Sequence, residues 1–382
     1  MGGPADPTTA AVAARLARLQ EVVAGEGLDA LLVSNLTNIR YLSGVETSAG
    51  MLLVPATGRV VLTTDDRYRV EATAALAAAG VEVDLACGPR PVQLDALLAA
   101  VAPGASLGVE AASVTWAEAR LLEGQLAGRT LVPTGGLVER LRVRKAPEEV
   151  AKMQAAAALA DAALADVLAT VVAGTTELDV ARRLTTRMVE LGASGPAFDT
   201  IVGAGPNSAM PHASPSRRPI EAGELVLIDF GATLDGYRSD MSRTVWWGDL
   251  PDESRQIVDT VQRVHDEAAE MLRPGTAFRA VAERVEQLLA AAGHPDQMRH
   301  AAGHNIGLAV HERPYFSTVE PSSDVLEVGN VVTLEPGLYV EGTGGARVEN
   351  MFVIEEHGAR PLTRAVAAAR PPFAQRSADQ PV

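Results

Sequence analysis

The chain holds a single cysteine, Cys87, among 382 residues. No disulfide can close within it, and no thiolate-rich zinc site can be assembled. Positive charge is also scarce: 33 Lys and Arg stand against 48 Asp and Glu, for a net charge of −15. A nucleic-acid binder needs a basic face to meet phosphates, so this balance argues against one. No run of about 18 apolar residues occurs, so no membrane span is expected. The N-terminal "MGGPADPTTAAVAARLARLQ" has no apolar stretch behind a basic start, so no secretory leader is expected and a cytoplasmic protein is. Nucleotide signatures are missing as well. There is no GK[ST] loop, and "GAGPNS" carries Ser208 where a dinucleotide fingerprint needs its third glycine. "GASLG" matches the serine-hydrolase elbow in letters, but Ser106 reads as part of a turn into a strand rather than a strand-turn-helix.

What is present suits a globular enzyme of more than one domain. Val12, Leu16, Leu19 and Val23 recur on one helical face, with Thr8 or Thr9 as the expected cap and Gly25 and Gly27 as the stop. Apolar strand runs and helices then alternate, "LDALLVSN", "GMLLVPATGRVVLTT", "RVEATAALAAAG" and "VEVDLA". Residues 1–140 are therefore expected to be one α/β domain. "VERLRVRKAPEEVAKMQ" reads as a connection into a helix started by Pro147, in preference to a phosphate-binding patch of Arg140, Arg142, Arg144 and Lys145. Beyond it, residues 141–370 show two rounds of paired helices followed by hairpin strands, a repeat in element order rather than in letters. Trp246 and Trp247 are expected to be packing or interface residues, and residues 371–382 a loose tail.

The chemistry is carried by "LIDFGATLDGYRSDMSRT", residues 227–244. Asp235-Gly236 is favoured in a two-residue hairpin loop. Leu234 then pairs with Tyr237, and Gly231 with Asp240. Asp229 lies two residues from Gly231, so it shares a sheet face with Asp240 as a diagonal neighbour, about 7–8 Å away at the backbone. Two like charges in an apolar sheet repel each other and lose hydration, and a cation between them relieves both costs. The competing reading is a surface hairpin with both acids in water; the core-like "LVLIDF" weighs against it. Glu335 in "VVTLEPGLY" and Glu349 in "ARVENMFVI" repeat the pattern of an acid within an apolar strand. His300, His304 and His311 fall within twelve residues of a chain that has seven histidines. One nitrogen and four carboxylates suit a hard or borderline divalent ion: manganese, cobalt or zinc. Two bridging carboxylates would hold a pair of ions roughly 3.5–4 Å apart.

The segments "IVGAGPNSAMPH", "LIDFGATLDGYRSDMSRT", "GHNIGLAVHERP", "LEPGLY" and "RVEN", in this order, resemble the pita-bread metallopeptidases of the Xaa-Pro aminopeptidase and Xaa-Pro dipeptidase (prolidase) branch. "NIRYLSG" is similar to a segment of the creatinase-type N-terminal domain, and "LRVRKAPEEVAKMQAAAALAD" to the start of the catalytic domain. The resemblance implies a creatinase-like α/β domain followed by a pita-bread α+β catalytic domain with antiparallel sheet. It implies Asp229, Asp240, His304, Glu335 and Glu349 as ligands of two divalent ions, manganese foremost, with Asp240 and Glu349 bridging. Glu335 would also shuttle the proton. His212 and His311 would support the tetrahedral intermediate, and His300 and Tyr339 would meet the substrate. Arg347 would order the site. The implied reaction is hydrolysis of the bond between an N-terminal residue and proline in small peptides, by a hydroxide bridging the metals. The implied assembly is a homodimer. Asn305, where glycine is frequent, and Asn350, where aspartate is frequent, depart from the pattern without removing a ligand. Two alternatives share the fold: a metal-free creatinase-like hydrolase, and a non-catalytic binding protein. The complete donor set speaks against both.

Overall fold

A computed structural model describes residues 7–172, 174–319, 323–364 and 368–369. The tail expected at 371–382 lies outside the described residues. The chain divides into two compact units, Met1–Arg142 and Val143–Val382.

In the first unit, six strands form one mixed sheet in the order Val83–Cys87, Val60–Thr64, Gly50–Pro55, Ala30–Val33, Ser106–Glu110, Thr130–Thr134. The central strand Ala30–Val33 is buried throughout, which is why it reads as an unbroken apolar run rather than an alternation. The first helix runs Pro7–Gly25, so Thr8 and Thr9 lie inside it rather than at its cap. Pro7 opens it, where a missing N–H costs nothing. Ser106 begins a strand, and its hydroxyl bonds Asp29 Oδ2 at 3.0 Å, which leaves no nucleophile elbow there. Arg142, from the basic cluster, is buried and donates to Asn38 Oδ1 at 2.7 Å.

The second unit repeats a pattern. Helices Pro147–Leu168 and Glu177–Glu190 precede one set of strands; helices Asp252–Ala269 and Phe278–Ala291 precede another. Thr176 caps the second helix through a reciprocal box with Asp179. Each set contains a long hairpin, and each hairpin belongs to two sheets. In the first, Leu234 pairs with Tyr237 near the tip and Phe230 with Met241 near the base. The register is the one expected from the Asp-Gly turn, whose residues take φ of 48° and 80°. The tip strands belong to a three-stranded sheet and the base strands to a four-stranded one. The second hairpin behaves likewise. Tyr339 pairs with Gly345 in a two-stranded ribbon, and Leu334 with Asn350 in a five-stranded sheet. Its tip is Glu341-Gly342-Thr343, with Gly342 at φ 85°, so the following Gly344 is already paired with Val340.

The change of sheet falls at Gly231 and Asp240 in one hairpin, and at Glu335 and Glu349 in the other. All four acids therefore stand at or beside a corner where the backbone bends away from a continuous ladder. Trp247 is fully buried, as a packing residue should be. Among the described residues no helix is long and apolar enough to cross a membrane.

Gly231 makes the first corner possible. A Cβ there would lie 1.9 Å from the Ser239 carbonyl oxygen. Gly231→Ala is expected to destabilise the protein by about 2 kcal/mol or more through this backbone clash, read as a drop in thermal midpoint. An unchanged midpoint would show that the corner tolerates a side chain.

Candidate metal centre and substrate cavity

The two corners and the strand His304–Asn305 meet at one cavity of about 760 Å³. Asp229, Asp240, His304, Glu335 and Glu349 all line it, together with His212, His300, His311 and Arg347. Donor atoms of Asp240, His304 and Glu349 lie within 4.8 Å of one another, and all three residues are buried. Asp229 and Glu335 are more open, their side chains 13% and 15% exposed, and so face the cavity's accessible side.

Local structure fixes each donor. His304 follows Gly303, where a Cβ would meet the Thr333 carbonyl at 2.2 Å; without one, the His304 strand lies close against Val331–Leu334. The His304 ring donates Nδ1–H to the Asn305 carbonyl at 3.0 Å. That leaves Nε2 as the lone-pair nitrogen, 3.6 Å from Asp240 Oδ2 and 3.5 Å from Glu335 Oε1. Glu349 Oε2 accepts from Ser242 Oγ at 2.8 Å, and Ser242 Oγ accepts from Arg347 Nε at 2.7 Å. Arg347 also donates to Asp229 Oδ2 at 2.5 Å and to the Tyr339 hydroxyl at 2.8 Å. The Tyr339 hydroxyl in turn meets His300 Nε2 at 2.7 Å. Arg347 thus fixes one acid from each hairpin.

Electrostatics show what this arrangement costs. Burial, then the charges of Glu349, Asp229 and Glu335, push Asp240 well above the usual carboxylate range. Burial and Glu349 do the same to Glu335. Burial and Asp229 push Glu349 up to about 8. Burial pushes His304 down to about 3 and His300 down to about 4. Asp229 Oδ1 is buried and has no hydrogen-bond partner among the described residues. An orphaned carboxylate oxygen beside three acids that resist ionisation, with a neutral imidazole nitrogen aimed at them, fits divalent cations bound by this set.

Other expected residues take distinct places. His212 and His311 line the cavity, and the His311 ring stands edge-on to His304 at 4.5 Å. Tyr339, expected to meet substrate, is fully buried and reaches the cavity through His300 and Arg347. Asn305 is buried and donates to the Pro314 carbonyl at 2.9 Å. Asn350 turns away from the donors, to Arg243 at 3.1 Å and Thr363 at 2.6 Å; Arg243 in turn donates to the Glu349 carbonyl at 2.5 Å. Motif reading missed Ser242, the link between Arg347 and Glu349. The hairpin register that aligned Asp229 with Asp240 also places Ser242 directly opposite Asp229, so the signal was there. It also missed the walls: Phe198, Asp199 and Tyr315 line the cavity from outside every quoted motif, and Ile201 and Val310 line it from within motifs that single out other residues.

Comparison with known proteins agrees along nearly the whole chain. Residues 151–356 match the model of metallopeptidase family M24, and residues 15–144 match the creatinase/prolidase N-terminal domain. An uncharacterized peptidase of Bacillus subtilis, YqhT, is 34% identical over 349 residues, covering 91% of this chain and 97% of that protein. The structure of an Xaa-Pro dipeptidase from Bacillus anthracis superposes with a TM-score of 0.88 at 30% identity, covering 95% of this chain and all of that one. That of an X-Pro aminopeptidase from Thermotoga maritima gives 0.82 at 30% identity, covering 94% of this chain and all of that one.

The carboxyl shifts carry a pH dependence for the metal-stripped protein. A carboxyl raised on folding binds more protons folded than unfolded, so stability falls as pH rises from its ordinary value towards its folded one. The lowered histidines act oppositely, and only below their ordinary value of 6.5. Between pH 6.5 and about 8 the Glu349 contribution stands without theirs. Chelated protein is expected to lose about 1–2 kcal/mol across that window in denaturant titrations, and added divalent metal should abolish the slope. A flat or rising profile without metal would contradict the electrostatics above.

Proposed function

The chain belongs to metallopeptidase family M24, and from that membership we propose that it hydrolyses the bond between an N-terminal residue and proline in small peptides. The observation that carries this reading is the convergence of four carboxylates and one imidazole on a single cavity. In our reading Asp229, Asp240, His304, Glu335 and Glu349 would hold the divalent ions, manganese being the first to test. Such ions supply Lewis acidity, polarising the scissile carbonyl and acidifying water.

The rest of the chemistry falls to the chain's own groups. Glu335 is the more open carboxyl of the second corner, and that access to the cavity suits it to accept a proton and return it at the proline nitrogen. That nitrogen belongs to a tertiary amide and needs a proton to leave as an amine. His212 and His311 stand at the cavity surface as donors to the developing oxyanion. Arg347 neutralises Asp229 and steadies Glu349 through Ser242, which keeps the donors in place while the substrate exchanges. His300, backed by the Tyr339 hydroxyl, orients the substrate beside Glu335, from whose Oε2 its Nδ1 lies 3.6 Å. We assign catalysis to residues 141–370 and expect a homodimer. Neighbours of equal identity carry both the dipeptidase and the aminopeptidase name, so the length of peptide accepted is decided by assay.

Glu335→Ala should lower kcat by about 10²–10⁴-fold while far-UV circular dichroism stays native. Full activity in that variant would remove Glu335 from the mechanism. Chelation should silence the wild type, and manganese should restore it; activity that survives complete metal removal, verified by metal analysis, would favour the creatinase-like alternative. Comparing Xaa-Pro with Xaa-Pro-Yaa peptides separates dipeptidase from aminopeptidase.

A further inference from the structure

Arg238 sits at the tip of the first hairpin, paired with Thr233 and two residues short of Asp240. Its side chain is half-buried, yet among the described residues it forms no ion pair with a carboxylate. It spends its donors on backbone carbonyls from two distant segments. Nε donates to Leu308 at 3.2 Å, and the guanidinium Nη1 donates to Ala197. Its backbone N–H adds a bond to Gly307 at 2.9 Å. Each segment runs directly into a cavity wall: Ala197 precedes the lining stretch 198–201, and Leu308 precedes Val310 and His311.

The planar guanidinium is suited to this task, because its fixed fork can hold two acceptors in set directions at once. Charge-assisted bonds to carbonyls are also stronger than neutral ones. The metal-donor residues do not depend on it. Asp229 is set by the base ladder of the hairpin and by Arg347, and Asp240 directly precedes the first pair of that ladder, Met241 with Phe230. His311 has its own anchor, since neighbouring Glu312 forms a buried ion pair with Lys145 at 3.3 Å and pairs with Asn305. Arg238 reaches the stretch leading into 198–201, whose far end is also held by Thr185 and by the Ile201–Asp229 pair, and the stretch leading into His311, where Ala309 also donates to Glu312.

We propose that Arg238 is a positioning residue that clamps the Phe198 wall to the Val310 wall and so sets the width of the cleft that grips the substrate. Its kinetic consequence rests on the peptidase reading; its structural consequence does not.

The test uses the metal-loaded full chain with Arg238→Ala and Arg238→Lys. Hydrogen–deuterium exchange should quicken together in peptides spanning 195–201 and 305–311, where the Ala197 and Gly307 amides are bonded to carbonyls, while 226–245 keeps its protection. Lysine, with a single ammonium, should restore protection to one segment only. Against an Xaa-Pro-containing peptide, KM should rise by about tenfold with kcat within about threefold, the pattern of lost substrate binding. Unchanged exchange in both segments overturns the proposal, as does a uniform rise through the whole catalytic unit in both variants. A fall in kcat at constant KM overturns it too, by moving Arg238 into the chemistry. Should Arg238→Ala fail to fold, Arg238→Lys alone decides between these outcomes. A wild-type chain inactive on every such peptide would sink the peptidase reading and leave the exchange result standing.

Discussion

Four carboxylates share one low-dielectric cavity, and the rest of the catalytic unit is arranged around that repulsion. Burial and the charges of neighbouring acids raise the proton affinity of Asp240, Glu335 and Glu349. One guanidinium, Arg347, answers part of the charge through Asp229 directly and Glu349 through Ser242. The remainder is the reason a member of this metallopeptidase family binds divalent cations. The fold spends stability to keep unpaired acids together, and the cations return it.

Such a cluster needs backbone that delivers acids without burying unpaired amides beside them. The hairpins meet this need by changing sheets. Within a regular ladder, Asp240 and Glu349 would be sheet residues with both backbone groups committed and side chains confined to one face. At the corners the chain bends, Gly231 accepts the close approach of the Ser239 carbonyl, and Gly303 does the same for Thr333. Two hairpins of unrelated sequence thereby bring acids to the same point. The repeat is visible in geometry, because the requirement is geometric.

Behind the donors lies a layer of neutral and cationic groups that decides their directions. Tyr339 joins Arg347 to His300, and burial pushes its hydroxyl up to about 12, so it remains a proton donor. Asn350 takes the place of a frequent aspartate, and its side chain bears on the site through Arg243 and the Glu349 carbonyl. Asn305 fills its position by bonding the Pro314 carbonyl. Both departures fall on groups that support donors, and neither adds or removes one.

The sequence by itself determined the hairpin register and the shared face of Asp229 and Asp240, and it singled out the acids and the histidine that the structure gathers at one cavity. Period-two alternation and Asp-Gly turn chemistry act over a few residues, so their consequences can be counted along the chain. The same count would have reached Ser242. Only the tertiary structure decided that each hairpin breaks between two sheets, that Tyr339 is buried behind His300, and that Arg238 joins Ala197 to Leu308. These features depend on segments between about 40 and 120 residues apart in the chain coming into contact, and no local preference encodes which carbonyl a distant guanidinium will meet.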